Sequence, residues 1–552
     1  MRKPIGTFAY GRQPLKANPA RVMLSDPMPV PPPVGGWDAI SSIQDMPPDR
    51  AVVLDNWFPG TADVRVRGGN QIHAGGMGDS VVETLMPYNG ATSGASKLFG
   101  AANNCIYDVT AAGQAVSSVT SLANNRWQFA NFTTPGGHFL WICNGADAPQ
   151  HYNGSAWATP SLSMTDFSST DIINVNAHKN RLWFVFKDST TAGYLPVNSI
   201  AGTVSNFPLG SLFTKGGFLV AMGTWTKDGG SGEDDFAVYL SSEGQIAVYQ
   251  GTDPSAPETW SLVGTFDVGP PIGYRCLTKV ASDVAFINID GVLPISKALI
   301  QDRGAVAKIA ISANINNAMN TAARSYKNNF GWQLQPYPRG TYVLLNVPIQ
   351  EGQLQHQYVM NTITGAWCRF TNQNANCWAV FRDELYFGSN VGTVNVADTT
   401  GLDLSTPVDA IGQTAYNYYK PYGGLKQWTM LQPLLTTDSD ARPAIGISTD
   451  FKDNAVVGTP SSAQTLSATY DDAIWDTDVY AIEGRSVTDW ATVSGIGQCA
   501  SIHFRSRTGR ETGLGIWGVD KWGQGYWSYP ISGDVVMRLN GFNALYKHGG
   551  VL

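Results

Sequence analysis

Charged side chains are scarce in this sequence: Asp, Glu, Lys and Arg make up 14% of its 552 residues. A soluble domain ordinarily carries about 25%. No cluster of five or more Lys and Arg occurs, and the formal net charge is −7. A protein that grips a DNA backbone would show a basic face. An acidic balance suits ordinary solubility, and it also suits a wall past which DNA slides without being held. Long apolar runs are missing too. No window approaches the roughly 20 residues of a membrane helix, and the opening MRKPIGTFAYGRQPLK lacks the apolar stretch of a secretory signal. No stable membrane insertion is expected, and synthesis in a cytoplasm is.

Recognisable chemistry is equally sparse. The six cysteines (Cys105, Cys143, Cys276, Cys368, Cys377 and Cys499) lie far apart with no CxxC pair. That spacing argues against zinc or redox motifs and for buried free thiols. The histidines show neither HxxxH nor HxH spacing, and no GxSxG, GxxxxGK[ST] or HExxH occurs. Glycosidases and sialidases on propeller folds need paired carboxylates and an arginine cluster. Here the acids are scattered, and the repeated Ser-x-Asp-x-Gly-x-Thr-Trp turn of sialidase propellers is absent. The loop KDGGSGEDD gathers Asp228, Glu233, Asp234 and Asp235 but misses the EF-hand spacing, so it reads as a solvated loop. No catalytic residue, metal ligand or cofactor is expected.

Glycine (59) and proline (31), with abundant Asn, Ser and Thr, fill the space that charge leaves. Such a mix suits short strands and tight turns, and it suits long helices badly. With 43% hydrophobic and 11% aromatic residues the chain is a folded one, too long for a single core. Residues 1–34 end in DPMPVPPPVGG, an extended proline-rich arm that cannot pair in the middle of a sheet. Strand–turn–strand patterns then recur, centred on Leu98, Leu140, Leu182, Ala237, Ala285, Val343 and Leu385, 42 to 58 residues apart. That period marks β-propeller blades, and six to eight are expected over 80–400. An irregular β-sandwich is the alternative. A helical insertion is expected near 312–324, where Ser312 precedes Ile315, Met319 and Ala322 at helical spacing. Beyond 401 the pattern changes to a second β-rich region running to 552. The fold class is therefore all-β, and 35–79 forms a segment of its own before the propeller.

That segment holds DNWFPGTADVRVRGG, Asp55 to Gly69. MPPDRAVVLDNWF before it reads as a short helix, since Pro48 suits a first turn and Ala51 and Leu54 share a face. ADVRVRGG reads as a strand with Val64 and Val66 on one side, Arg65 and Arg67 on the other. Large rings and long donors dominate interface hot spots. Trp37, Asp55, Asn56, Trp57, Phe58, Arg65 and Arg67 are thus candidates for a subunit or partner interface. Equally, they form an internal corner, with the arginines paired to Asp55 or Asp63. The aromatic stretch KWGQGYWSYP at 521–530 is a further place where a ring can face a partner.

The stretch WDAISSIQDMPPDRAVVLDNWFPGTADVRVRGG resembles the N-terminal signature of the tail nozzle proteins of short-tailed bacteriophages, also called tail tubular or packaged-DNA-stabilisation proteins. NRLWFVF…YLPVNSIAGTVSNFPLG, VAFINIDGVLPISKAL, DELYFGSNVGTVNVAD, AYNYYKPYGGLKQW and GFNALYKHGGVL continue the likeness in order, from Trp37 to Leu552. The resemblance implies a structural virion protein in the tail. Its subunits assemble as a six-fold ring below an adaptor, with fibre or needle proteins as further partners. It implies a propeller on a platform of N- and C-terminal segments, and a conduit that retains packaged double-stranded DNA and then lets it pass. A channel that must not brake DNA is expected to be acidic or polar, with Lys297, Arg303 and Lys308 as candidates for a narrow basic gate. Two other classes remain open: a receptor-binding or fibre-anchoring module, and a tail-borne polysaccharide depolymerase.

Overall fold

In the computed structural model, residues 26–228, 233–280, 282–299, 309–420, 422–437, 442–452, 485–508 and 537–548 are described. Within them the chain is almost entirely β. Five sheets stand alone as propeller blades, four of four strands each and one of three, in chain order from Thr84–Tyr88 to Gly291–Pro294. Each is an antiparallel meander whose first strand is innermost. The sequence expectation of six to eight blades is not matched by these five self-contained sheets. Two more meanders continue the circuit but are fused into larger sheets. One runs from Gln333–Tyr337 to Trp367–Phe370, and the other from Cys377–Phe381 to Val394–Ala397. Asn70–Gly75 from the N-terminal side pairs antiparallel with Val394–Ala397 and supplies the latter's fourth strand.

Tight turns make the meanders possible. Asn103-Asn104, Lys179-Asn180 and Arg382-Asp383 each join two strands with both residues at positive φ, between 46° and 63°. Such a turn matches the right-handed twist of its strands, and asparagine or aspartate tolerates that backbone region best.

The segments flanking the propeller form a two-sheet platform. One sheet brings together Met28–Val30, Trp57–Pro59, Val64–Val66, Lys426–Thr437, Arg485–Val487, Ala491–Gly497 and Met537–His548. The other holds Arg50–Asp55, Asp409–Thr414, Ala500–Arg507 and Ala444–Thr449, with Gly36–Trp37 at its edge. Trp57 meets Phe504 at 5.4 Å, Phe504 meets Phe542 at 5.4 Å, and Trp428 meets Tyr546 at 4.7 Å between ring centroids. Buried aromatics and aliphatics of both sheets thus share one core, which extends to Tyr342, Leu344 and Trp378 of the two fused meanders.

One local expectation needs correction. The helix read over MPPDRAVVLDNWF is a strand, Arg50–Asp55. Its ladder to Asp409–Thr414 slips between Ala51 and Val53, so Ala51 and Leu54 are both buried although three residues apart. A β-bulge therefore produced the helix-like spacing. The end of the proline-rich arm pairs along a sheet edge and not within the sheet: Met28–Val30 runs antiparallel to Phe542–Ala544. Pro29 is tolerated because this is an edge strand. Residues 1–25 lie outside the described ones. The helical insertion is Asn316–Tyr326, with Met319, Ala322 and Ala323 buried against the fifth and following meanders.

Inner strands are sheet edges, so their backbone groups need partners at the hub. Side-chain amides of the neighbouring blade supply several of them. Asn174 accepts from Met222 N–H at 3.2 Å, and Asn176 donates to Met222 C=O at 2.9 Å. Gln333 repeats this on Trp378, accepting from its N–H at 3.0 Å and donating to its C=O at 2.7 Å. Asn131 does the same for Asn89 N–H and Pro87 C=O. A primary amide imitates a peptide group without adding charge. Gln333→Leu leaves both Trp378 groups without these partners, so it should cost about 2–4 kcal/mol. Thermal unfolding monitored by circular dichroism tests this; an unchanged midpoint would contradict the clamp.

Candidate functional site

Two places concentrate polar chemistry: the central cavity of the propeller and its junction with the platform. The cavity has a volume of about 240 Å³. Its wall takes residues from all seven meanders, among them Leu85, Gln128, Asn174, Met222, Gln333 and Trp378. Arg275, just before the first strand of the fifth blade, reaches across to the first and second blades. It donates to Glu83 C=O at 3.1 Å, Thr84 Oγ1 at 2.7 Å and Trp127 C=O at 3.2 Å. Phe330 stands between two guanidinium groups, 5.0 Å from Arg275 and 4.4 Å from Arg126. Burial lowers the Arg275 pKa below its ordinary value, and the nearby Arg126 adds to that against the pull of Glu83. Arg275 is thus a bar across the hub. It went unnoticed in the sequence because it stands alone in GYRCLTKV; its only signal is a cation inside a strand-rich, charge-poor repeat.

The junction centres on Arg67, 4% exposed. Its Nε donates to Asn56 Oδ1 at 2.8 Å. Nη1 serves Gly68 C=O at 2.9 Å and Asp403 Oδ1 at 2.8 Å, while Nη2 serves Thr371 C=O at 2.8 Å and Asp403 Oδ2 at 2.5 Å. All five donors of the guanidinium are therefore used. Asn56, fully buried at φ +58°, accepts from Arg67 and from Thr371 N–H, and donates to Thr371 Oγ1 and Asp409 C=O. Asn70 adds a further hydrogen bond to Asp403 at 2.8 Å. One cluster thereby links the N-terminal corner, the end of a propeller meander at Thr371 and the return to the platform at Asp403 and Asp409.

The remaining corner residues are distributed around this node. Asp55 takes a two-pronged contact from Arg369, 2.7 Å from Nε and 2.6 Å from Nη2, where their strands run parallel. Trp37 packs edge-on against Tyr358 at 5.3 Å with the Arg369 guanidinium 5.8 Å from its ring. Gly36 before it sits at φ +80°, where a Cβ would come within 2.5 Å of the Trp367 carbonyl oxygen. Trp57 and Phe58 are buried, at 1% and 3% exposure. Arg65 is half-buried with its guanidinium 5.1 Å from the Phe58 ring.

The expected pairing of the two arginines with Asp55 or Asp63 is not made. Asp55 belongs to Arg369, and Asp63 lies 3.8 Å from Arg538. Arg67, not Arg65, holds the buried pair, and its carboxylate comes from 336 residues downstream. Asn56, Trp57, Phe58 and Arg67 are enclosed by their own chain, so their side chains serve the internal corner.

Of the gate candidates, Lys297 is exposed on the short helix Ile295–Ala298, which follows the outer strand of the fifth blade; it does not line the central cavity. Arg303 and Lys308 lie outside the described residues, as does KWGQGYWSYP. In the acidic loop, Asp235 pairs with Lys179 at 3.0 Å and accepts from Thr226 at 2.7 Å. Among the described residues no group of three or more His, Cys, Asp or Glu is arranged to hold a metal. All six cysteines are free thiols, five of them buried.

Removing one partner of a buried pair strands the other charge, so Arg67→Met should cost about 3–5 kcal/mol. Adding Asp403→Leu should recover part of that loss in chemical denaturation; a double variant worse than the sum would contradict the pair. His178, on the inner strand of the third blade, gives a pH prediction. Burial, aided by Lys179 and opposed by Asp235, lowers its pKa from 6.5 to about 4. The folded state then refuses a proton that the unfolded chain takes up. Stability from this residue is complete above about pH 6.5 and is lost as pH falls toward 4. The loss is on the order of 3 kcal/mol. Melting curves of His178→Gln should show a shallower decline over that window, and an identical decline would contradict the assignment.

No family model matches the chain, and no curated protein matches it. Among solved structures it is similar to BBS1N in complex with ARL6DN, with 11% identity over 60% of this chain and 97% of that one, at a TM-score of 0.37. YCF48 bound to a D1 peptide aligns at 9% identity over 64% of this chain and 99% of that one, at a TM-score of 0.37. YCF48 from Cyanidioschyzon merolae aligns at 9% identity over 58% and 96%, at a TM-score of 0.35. The β-propeller description rests on the sheet pairing.

Proposed function

We propose that this chain is a structural subunit of the tail of a short-tailed bacteriophage, a nozzle protein made in the bacterial host cytoplasm and working in the virion. The observation that carries this reading is the ordered set of segments, from Trp37 to Leu552, similar to the nozzle family. Their positions in the fold support it. The corner ending in RVRGG, the segment around Tyr416–Trp428 and GFNALYKH all fall in or beside the platform, although they come from opposite ends of the chain. A body tied together this way suits repetition around an axis.

The hub also bears on where DNA would run. About 240 Å³ crossed by an arginine cannot admit a duplex, whose major groove alone is about 12 Å wide. A conduit therefore requires a ring of copies with DNA passing between them, six in the family's pattern. An acidic or polar wall in that ring would spare DNA the phosphate contacts that hold it. An adaptor protein would sit above the ring, with fibre or needle proteins as further neighbours. We also count the two fused meanders as blades six and seven, because their first strands line the same cavity as the other five.

Negative-stain imaging of the purified protein, alone and mixed with its adaptor, tests the reading. Six-fold rings or short tubes are expected in at least the mixture. Monomers in both samples, or trimeric spikes, would contradict it, and salt-sensitive tight binding of duplex DNA by the ring would contradict the low-friction conduit.

A further inference from the structure

Arg275 crosses the hub with part of its hydrogen-bonding capacity unused. Its three bonds go to neutral oxygens and engage Nη1 once and Nη2 twice. The Nε–H and the second Nη1 hydrogen have no partner among the described residues. No carboxylate lies within ion-pair distance of it there either, and no Asp or Glu lines the cavity. Glu83 is close enough to act on it electrostatically, but its Oε1 binds Arg126 Nε at 3.0 Å. Glu351 likewise binds Arg126, at 2.6 Å. Arg126 is therefore doubly paired, while Arg275 keeps a permanent charge whose contacts are carbonyls, a hydroxyl and the Phe330 ring, with no anion among them.

Two neighbours on the same wall have donors to spare. The Gln128 amide makes no hydrogen bond among the described residues. Asn174 commits its Oδ1 to Met222 N–H and leaves Nδ2 without a protein partner there. A guanidinium fork and two amides around a cavity free of carboxylates form a donor set that matches tetrahedral oxyanions.

We propose that the central cavity binds one small phosphate-like oxyanion, held by Arg275 together with the amides of Gln128 and Asn174. About 240 Å³ accommodates such an ion with several waters. Bound there, it would join the second and third blades to the fifth through the hub and supply the contact anion that Arg275 lacks. The burial that depresses the Arg275 pKa would be offset by the same charge. The site is independent of whether the chain forms rings.

Equilibrium dialysis of the full chain against radiolabelled inorganic phosphate, at ionic strength held constant with chloride, tests the proposal. One phosphate should bind per chain. Gln128→Leu should weaken it by about tenfold, the effect of losing one charge-assisted hydrogen bond. Arg275→Lys keeps the charge but loses the fork, and it should weaken binding at least as much while circular dichroism shows the fold retained. Should Arg275→Lys unfold the hub, Gln128→Leu decides alone. Absence of saturable uptake by the wild-type chain at millimolar phosphate would overturn the site. So would binding unchanged in the decisive variant, which would put an adventitious ion elsewhere.

Discussion

One buried ion pair, Arg67 with Asp403, fixes the relation between propeller and platform. A guanidinium with 4% exposure is tolerable only when every donor is met. Meeting all five draws in Asn56, Gly68, Thr371 and Asp403, which belong to three separate passages of the chain. Each passage must arrive correctly for the charge to be satisfied, so the node acts as a check on the assembly of the whole. The Asp55–Arg369 contact and the Asn361 bond to Pro59 C=O, at 2.8 Å, add to the same seam. Hydrophobic packing reinforces it, since the platform core continues into Tyr342 and Trp378.

A second constraint operates at the hub, where inner strands converge as unpaired edges. Charged side chains would satisfy those edges only at the expense of mutual repulsion in a small space. Amides avoid this by offering donor and acceptor on one neutral group, as Asn174 with Asn176 and Gln333 do. The low charge of the sequence and its wealth of asparagine thus have a structural use. Arg275 is the exception, and its isolation makes the cavity chemically distinct from the rest of the hub.

Much of the propeller was legible in the sequence because its signals are local. Apolar strand centres such as Leu98, Leu182 and Leu385 fall in three different sheets, as a repeat requires. Turns such as Asn103-Asn104 announce themselves, whereas Arg382-Asp383 does not, its conformation being imposed by the flanking strands. The blade count was not matched by self-contained sheets because two meanders are fused through long-range pairings, one by Asp55 beside Arg369, 314 residues apart, and the other by Asn70–Gly75 beside Val394–Ala397. The bulge at Ala51–Val53 imitated a helix for the same reason: its cause lies in the partner strand Asp409–Thr414. At the candidate site, Arg67 was recognisable as important, but neither its partner Asp403 nor the role of Arg275 carries any mark in the local sequence.

The account's central claim is that the Arg67 node makes propeller and platform one cooperative body. Native-state hydrogen exchange read strand by strand tests it most directly. The account predicts that amides of Tyr342–Gln350 in the propeller and Ala500–Arg507 in the platform are released by the same global opening, with a common denaturant dependence. Release of the platform strands at a markedly lower free energy, with the propeller still protected, would contradict it.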